Sequence, residues 1–426
     1  MCRIAFFAAM LAILGVVGCS ERETNTAPRW EGPVRPGVCV GTKCNPPIRS
    51  PLSTGTSVKC SPGLGDPVVV EWSADLGQMP CALGTCPLFL IDAAPSPDGG
   101  AWALVNVGIP DGWPSATASP LGTAVIRFDA SGKRSFPPQA ETAMPLSGTS
   151  PEARGLRASS GGLRWVGPGE GSSGLSLRSY DSTGVFTGAH WLVEHATWGD
   201  AWLSAGSTVI AYAYVSAVDR SVDPPVPEYR AGVARFDGEG KLLWNQSQVF
   251  APRLAHARVE LLGIDATGAS YVAAAVSVEG ETTAAKLITR VTPGGEVART
   301  WFADEGAAFT VASASGDLFV GQLSGLTRYD RNGTALWTTP LGVVPFAGAV
   351  DASDRLILLS DYPAARLDVV SADGSACRQH PLSAEPCVRT RDVSICTDVR
   401  LLVINSEVLL MVGTTSVSRL RIPGQP

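Results

Sequence analysis

Hydrophobic positions follow three regimes along the chain. Ile4 to Val17 is one run of apolar and small residues, and residues 20–66 are rich in Pro, Thr, Ser and Gly with no helical or strand periodicity. From Pro67 to the end, short apolar stretches alternate with glycine-bearing turns. The first run is too short for a membrane-spanning helix, which needs about 20 residues, and has the length of the core of a secretory signal. The second reads as a tether, because it has no apolar face to bury. The third reads as β-structure throughout.

Two turn phrases alternate through that third regime. The first is Arg, an apolar residue, Asp, two small residues and Gly, then a stretch ending in an aromatic. It occurs at Arg127-Phe-Asp129-Ala-Ser-Gly132 with Phe136, Arg178-Ser-Tyr-Asp181-Ser-Thr-Gly184 with Trp191, Arg235-Phe-Asp237-Gly-Glu-Gly240 with Trp244, and Arg328-Tyr-Asp330-Arg-Asn-Gly333 with Trp337. Arg290-Val-Thr292-Pro-Gly-Gly295 with Trp301 is a variant, and Ser371-Ala-Asp-Gly374 and Arg419-Leu-Arg-Ile-Pro-Gly424 are weaker copies. An Asp, Thr or Ser at the head of such a turn accepts a hydrogen bond from the backbone two residues on, and Gly supplies the left-handed conformation. The second phrase is a small-residue turn followed by an apolar strand. It begins at Gly99, Gly161, Gly206, Gly268, Gly316, Asp354 and Glu407, once before each copy of the first.

Two hairpins per repeat make four strands, and seven repeats over residues 67–426 average about 51 residues each. Four-stranded units near this period predict an all-β, seven-bladed β-propeller, with six or eight blades as alternatives and a pair of β-sandwiches as the competing architecture. The last repeat stops just after its final turn and lacks a fourth strand. Pro67-Val-Val-Val-Glu-Trp72 carries a Trp where other fourth strands carry one, so residues 67–77 are expected to complete the final blade and leave no open edge. The predicted organisation is a signal peptide over 1–18, a lipidated cysteine and tether over 19–66, and the propeller over 67–426.

Composition narrows the partners. Hydrophobics make 45% of the chain and charged residues 17%, with 46 Gly and 32 Pro, which excludes long coiled coils and helical bundles. A net charge of −6, with 28 Arg against 5 Lys, provides no basic field for nucleic acid. Apart from Cys2 and Cys19, eight cysteines remain as disulfide candidates: Cys39, Cys44, Cys60, Cys81, Cys86, Cys377, Cys387 and Cys396. An even number suits an exported protein, and the odd groups at the two ends predict at least one bridge between them if all pair. A zinc site is the competing reading, but C-x2-C knuckles are absent.

Val16-Val17-Gly18-Cys19 resembles the lipobox of bacterial lipoproteins. The resemblance implies that Cys19 is lipidated and becomes the N-terminus, and Ser20 after it implies the outer membrane. The turn phrases over residues 67–426 resemble the quinoprotein-like and WD40-like repeats of bacterial propellers, which implies the fold and many unrelated functions. Quinoprotein alcohol dehydrogenases carry adjacent cysteines and a calcium-binding acidic set. No two cysteines are adjacent here, so no quinone and no other cofactor is expected.

No motif commits the chain to a reaction. Gly169-Glu-Gly171-Ser-Ser-Gly174 matches the dinucleotide fingerprint but leads into Leu175-Ser-Leu177-Arg, which alternates as a strand, so a hairpin loop is expected. His190 and His195 are spaced so that neither strand nor helix brings both to one metal, and His256 and His380 stand apart. The turn carboxylates Asp129, Asp181, Asp237 and Asp330 lack D-x-D-x-D-G spacing and read as turn formers. Trp72, Trp191, Trp244, Trp301 and Trp337 recur once per repeat and are expected to pack between blades, whereas spacing gives Trp102, Trp113, Trp198 and Trp202 no sugar-binding pattern. The expectation is a lipid-anchored binding scaffold at the cell envelope with a protein or glycan partner and no catalytic or metal-binding residue. Residues 218–230, around Pro224-Pro225-Val-Pro227, are the expected partner-facing loop. The alternative is an envelope hydrolase or lyase with its site in the funnel.

Overall fold

A computed structural model describes most of residues 56–424. Left out within that span are 59–60, 82–83, 109–121, 136–138, 141–151, 169–173, 205, 222–224, 251, 278–283, 304–308, 323–324, 342–344, 361–364, 384–387, 390–393, 396–398 and 414. The expected signal peptide, Cys19, Cys39, Cys44, Cys60, Cys387, Cys396, Phe136, Trp113 and Pro224 therefore lie outside the described residues, as does most of the Gly169–Gly174 loop.

Turn chemistry builds the strands as the phrases predict. Asp129, Asp181, Asp237 and Asp330 each accept, through Oδ1, the backbone N–H groups two and four residues on. The glycine closing each turn has positive φ, between 77° and 91° in these four. Asp265 and Asp351 make the same bonds in the first hairpins of their repeats. Asp354 takes the glycine position there, at a φ of 56°.

The hairpins assemble into seven four-stranded blades. Blade 1 is Gly84–Pro95, Ala101–Val107, Gly122–Phe128 and Gln139–Ala140, with Gln78–Cys81 paired to the start of its first strand. Blade 2 is Leu156–Ser159, Gly162–Pro168, Gly174–Asp181 and Phe186–Glu194, and blade 3 is Ala196–Leu203, Ser207–Asp219, Val226–Asp237 and Leu242–Gln246. Blade 4 is Glu260–Ile264, Ser270–Ser277, Ala284–Val291 and Val297–Ala303. Blade 5 is Phe309–Ala312, Leu318–Gln322, Gly325–Tyr329 and Ala335–Thr339, and blade 6 is Ala347–Val350, Leu356–Ser360, Arg366–Val370 and Ala376–Pro381. Blade 7 takes Arg400–Val403, Val408–Val412 and Ser416–Arg421 from the C-terminus, and its fourth strand is Val69–Asp75. First strands touch in succession from blade 1 to blade 7, and blade 7 packs back on blade 1. The ring is closed by the N-terminal strand, as expected.

The core is divided among the seven junctions. Leu410 and Val412 of blade 7 pack on Ala103 and Ile126 of blade 1, and Trp102 and Leu104 of blade 1 on Leu163 and Trp165 of blade 2. Equivalent clusters fill each later junction. Along a second strand such as Ser207–Asp219, Val209, Ala211 and Ala213 face blade 4 while Ile210 and Tyr212 face blade 2. Both faces are buried, so second strands read as continuous apolar runs rather than alternating ones. Each fully buried large side chain contributes about 1.5–3 kcal/mol, spread around the ring.

Two features depart from expectation. The tether stretch supplies a fifth, parallel strand to two blades: Thr56–Ser57 lies along blade 5 and Ser61–Leu64 along blade 6, just before the closing strand. Val69–Asp75 is thus the last step of a strap crossing three outer edges. The second is Trp191, which is 45% exposed rather than packed between blades. Its distance from Arg178 is 13 residues where Trp244 and Trp337 stand nine from their arginines. Ala189 therefore stands opposite Arg178 and Trp191 falls opposite Ser176, and His190 lies against Gly240 of blade 3 instead.

Candidate binding surface

The recurring arginine is the residue that joins neighbouring blades. Within a blade it lies directly across from an aromatic of the second strand, as in Trp102 with Arg127, Trp165 with Arg178, Tyr271 with Arg290 and Phe319 with Arg328. The guanidiniums sit 5.2–5.9 Å from the ring centroids, within cation–π range. Four of these arginines then reach the next blade's turns. Arg127 donates to the Ser182 carbonyl of blade 2, Arg235 to Gly268 of blade 4, Arg328 to Ala372 of blade 6, and Arg419 to Gly99 of blade 1. The planar guanidinium can stack and donate in several directions at once, which an ammonium cannot. The abundance of Arg over Lys follows from this use.

Carboxylates are engaged in the same framework. Burial pushes the Asp265 carboxyl up, but the Thr267 hydroxyl, the Ala269 N–H and the Arg290 guanidinium outweigh it and hold it below the usual range. Around the axis, Asp92 of blade 1 accepts from Gly155 N–H of blade 2 at 3.0 Å and pairs with Arg400 of blade 7 at 3.0 Å. Asp200 of blade 3 accepts from Leu261 N–H of blade 4 at 2.8 Å. Glu152–Arg154, just ahead of blade 2, pairs parallel with the first strand of blade 3, so those two blades are also zipped at the axis. Asp92 and Asp200 thus bond blade to blade.

The remaining sequence-predicted residues scatter. His190, His195 and His256 are exposed at separate places, and His380 is buried with Nδ1 2.8 Å from the Asp66 carbonyl. Among the described residues, no three His, Cys, Asp or Glu side chains gather in a way that could hold a metal ion. Trp102 and Trp198 are buried, while Trp202 is exposed beside the first turn of blade 3. Cys86 and Cys377 are each disulfide-bonded.

The surface that stands out is the hairpin between the second and third strands of blade 3. These strands run 13 and 12 residues, against five and five in blade 5. Beyond Tyr214, where pairing to the first strand ends, Val215–Asp219 and Val226–Tyr229 continue as a two-stranded ribbon. At about 3.4 Å per residue it projects roughly 15 Å. Val215, Val218 and Val226 are 39–51% exposed on it. Its base is braced: Leu254 N–H donates to the Tyr229 carbonyl, Arg253 pairs with Glu228 at 3.4 Å, and Tyr212 donates to Asn245. Burial pushes the Tyr212 hydroxyl up to about 12, so it stays a donor at any physiological pH. The ribbon includes Val218, Asp219 and Val226–Tyr229 of the segment expected to face a partner.

No family model and no curated protein sequence matches the chain. Solved structures do. The WD40 domain of Neurospora crassa Pan2 is similar over 85% of this chain and 98% of that domain, with 10% identity and a TM-score of 0.50. A puromycin hydrolase matches at 14% identity and a TM-score of 0.49, over 84% of this chain and 55% of that enzyme. The Dos1 propeller matches at 10% identity and a TM-score of 0.44, over 83% of this chain and 96% of that propeller. At such identities the likeness concerns the fold: a WD40-like β-propeller.

Proposed function

We propose that this WD40-like propeller is an exported scaffold, lipid-anchored through Cys19 to the outer membrane, that grips a partner protein with the blade 3 ribbon. The observation carrying the reading is the ribbon itself: apolar side chains presented on a braced, projecting hairpin are what a protein partner buries. The Val16–Cys19 resemblance and the bonded state of Cys86 and Cys377 support export, since such bonds persist in oxidising compartments. A photo-crosslinking residue placed at Val218 or Val226 in the native organism is expected to trap a protein adduct. Replacing residues 216–228 with a two-residue turn should abolish the complex while the ring still folds. Absence of adducts at both positions overturns the reading. Cys19→Ala is expected to release the protein from membranes, and persistence in the membrane fraction overturns the anchor.

The cysteines offer a separate check. The fifth strand of blade 6 sets Ser61 opposite Ala376 and Pro62 opposite Cys377. Peptide mapping is therefore expected to pair Cys377 with Cys60, the cysteine next to Ser61 in sequence. That bridge would join the two terminal groups and fix the strap to the ring.

A further inference from the structure

Most outer edges of the ring are short, charged or already occupied. Blades 5 and 6 are covered by the strap, blade 3 ends in the five-residue strand Leu242–Gln246, and blade 4 carries Arg299 in its fourth strand. Blade 2 differs. Its sheet ends at Phe186–Glu194, nine residues long, with no described strand beyond it. Phe186, Thr187, Ala189, His190 and Trp191 are all exposed, although His190 also borders Gly240 of blade 3. From Ser182 to Val193 the sequence holds no Asp, Glu, Lys or Arg. Edges of this kind ordinarily carry charge, proline, bulges or a covering segment that blocks pairing with another chain, and of these devices this strand has only its two bulges, at Thr187 and Leu192.

We propose that this edge is a homodimer seam, at which Phe186–Glu194 pairs antiparallel with the same strand of a second copy about a two-fold axis at His190. The strand is self-complementary in that register. Residues equidistant from His190 meet on the same face, so Trp191 of each copy lies over Ala189 of the other, large against small. Gly188, at the other end of the regular stretch, has no atom within 4 Å of a Cβ position and so leaves room for a partner side chain. Between the register shifts at Ser179/Tyr180 and Leu175/Ser176, residues 188–191 form a regular ladder against 176–179. Every second residue there turns its N–H and C=O outward, and these groups pair across the axis. Exposed Val185, Leu242 and Leu243 widen the apolar rim beside it. A seam of one strand pair is small against the 1,200–2,000 Å² or so of a stable interface, so the dimer is concentration-dependent. The proposal is independent of the blade 3 ribbon.

Sedimentation equilibrium of the full chain in density-matched detergent is expected to show a monomer–dimer equilibrium. Trp191→Lys should weaken it at least tenfold with the melting temperature retained, because that side chain is exposed. His190→Cys places two thiols across the axis, where opposed Cβ atoms stand about 4.5–5.5 Å apart, and should give a covalent dimer on oxidation. Val185→Cys, off the axis, should not. A chain that stays monomeric at all concentrations, or a dimer that Trp191→Lys does not weaken and His190→Cys does not trap, overturns the proposal. A monomer would leave the edge to an extended segment of another protein.

Discussion

Arg328 reaches three acceptors at once: Asp317 of its own blade at 2.5 Å, Asp354 of blade 6 at 3.3 Å, and the Ala372 carbonyl. Its side chain is 11% exposed, so removing it leaves two partly buried carboxylates facing each other without a cation. Arg328→Ala is expected to cost about 3 kcal/mol in denaturant unfolding, and Arg328→Lys to recover only part of it. Acid sensitivity has two opposite sources. Asp129, Asp181, Asp237 and Asp265 are held below the ordinary carboxylate range by their turn bonds, so their contribution is present above that range and is lost as pH falls through the folded values. Asp368 runs the other way. Burial pushes it up against the pull of Arg366 and His380, and its Oδ1 is buried without a hydrogen-bond partner. A raised folded value means stability is greatest with the group protonated and declines as pH rises through that value. Asp368→Asn is therefore expected to raise the melting temperature at pH 7 and leave it unchanged below the carboxylate range. Melting curves from pH 3 to 8 check the sign, and a loss at pH 7 would refute it.

At four of the seven junctions a tryptophan meets a turn glycine. Trp72 packs on Gly132, Trp244 on Gly295, Trp301 on Gly333 and Trp337 on Gly374, each within about 3 Å of where a Cβ would stand. The glycine is needed twice, for its φ and for the ring above it. Trp337→Ala should cost about 3–5 kcal/mol, with loss of its Nε1–H bond to Ala372, whereas Trp191→Ala should cost under about 1 kcal/mol. Equal costs would show that both rings pack alike. This element-level pairing explains what was legible in the sequence. Turn formation depends on residues within five positions of each other, so Asp129 through Gly132 could be recognised from local chemistry. The fate of Trp191 could not, because it depends on the register of the fourth strand, which sets Trp191 opposite Ser176 and not opposite Arg178. Nor could the acceptors of Arg127 or Arg419, which belong to the next blade. The blade 3 ribbon was visible as an excess of length. Its bracing by Leu254 came from a segment some 25 residues further on.

At the scale of the ring, every blade but the last is contiguous in sequence. Deleting residues 56–75 is expected to strip the outer edge of Ser416–Arg421 and uncover the fourth strands of blades 5 and 6. Circular dichroism and light scattering should then report loss of the cooperative transition and association of the exposed edges. A deletion that melts cooperatively would show that six blades and a half suffice. Blade 7 also sets an order of events in time. Ser73 and Ser418 share a hydrogen bond across 345 residues, so the first strand of the ring to leave the ribosome must wait for nearly the last. Until then the nascent chain has two loose ends and an unsealed sheet. A ring built this way completes itself only once Ser416–Arg421 has been made, and if the protein is exported, only on the far side of the membrane it had to cross.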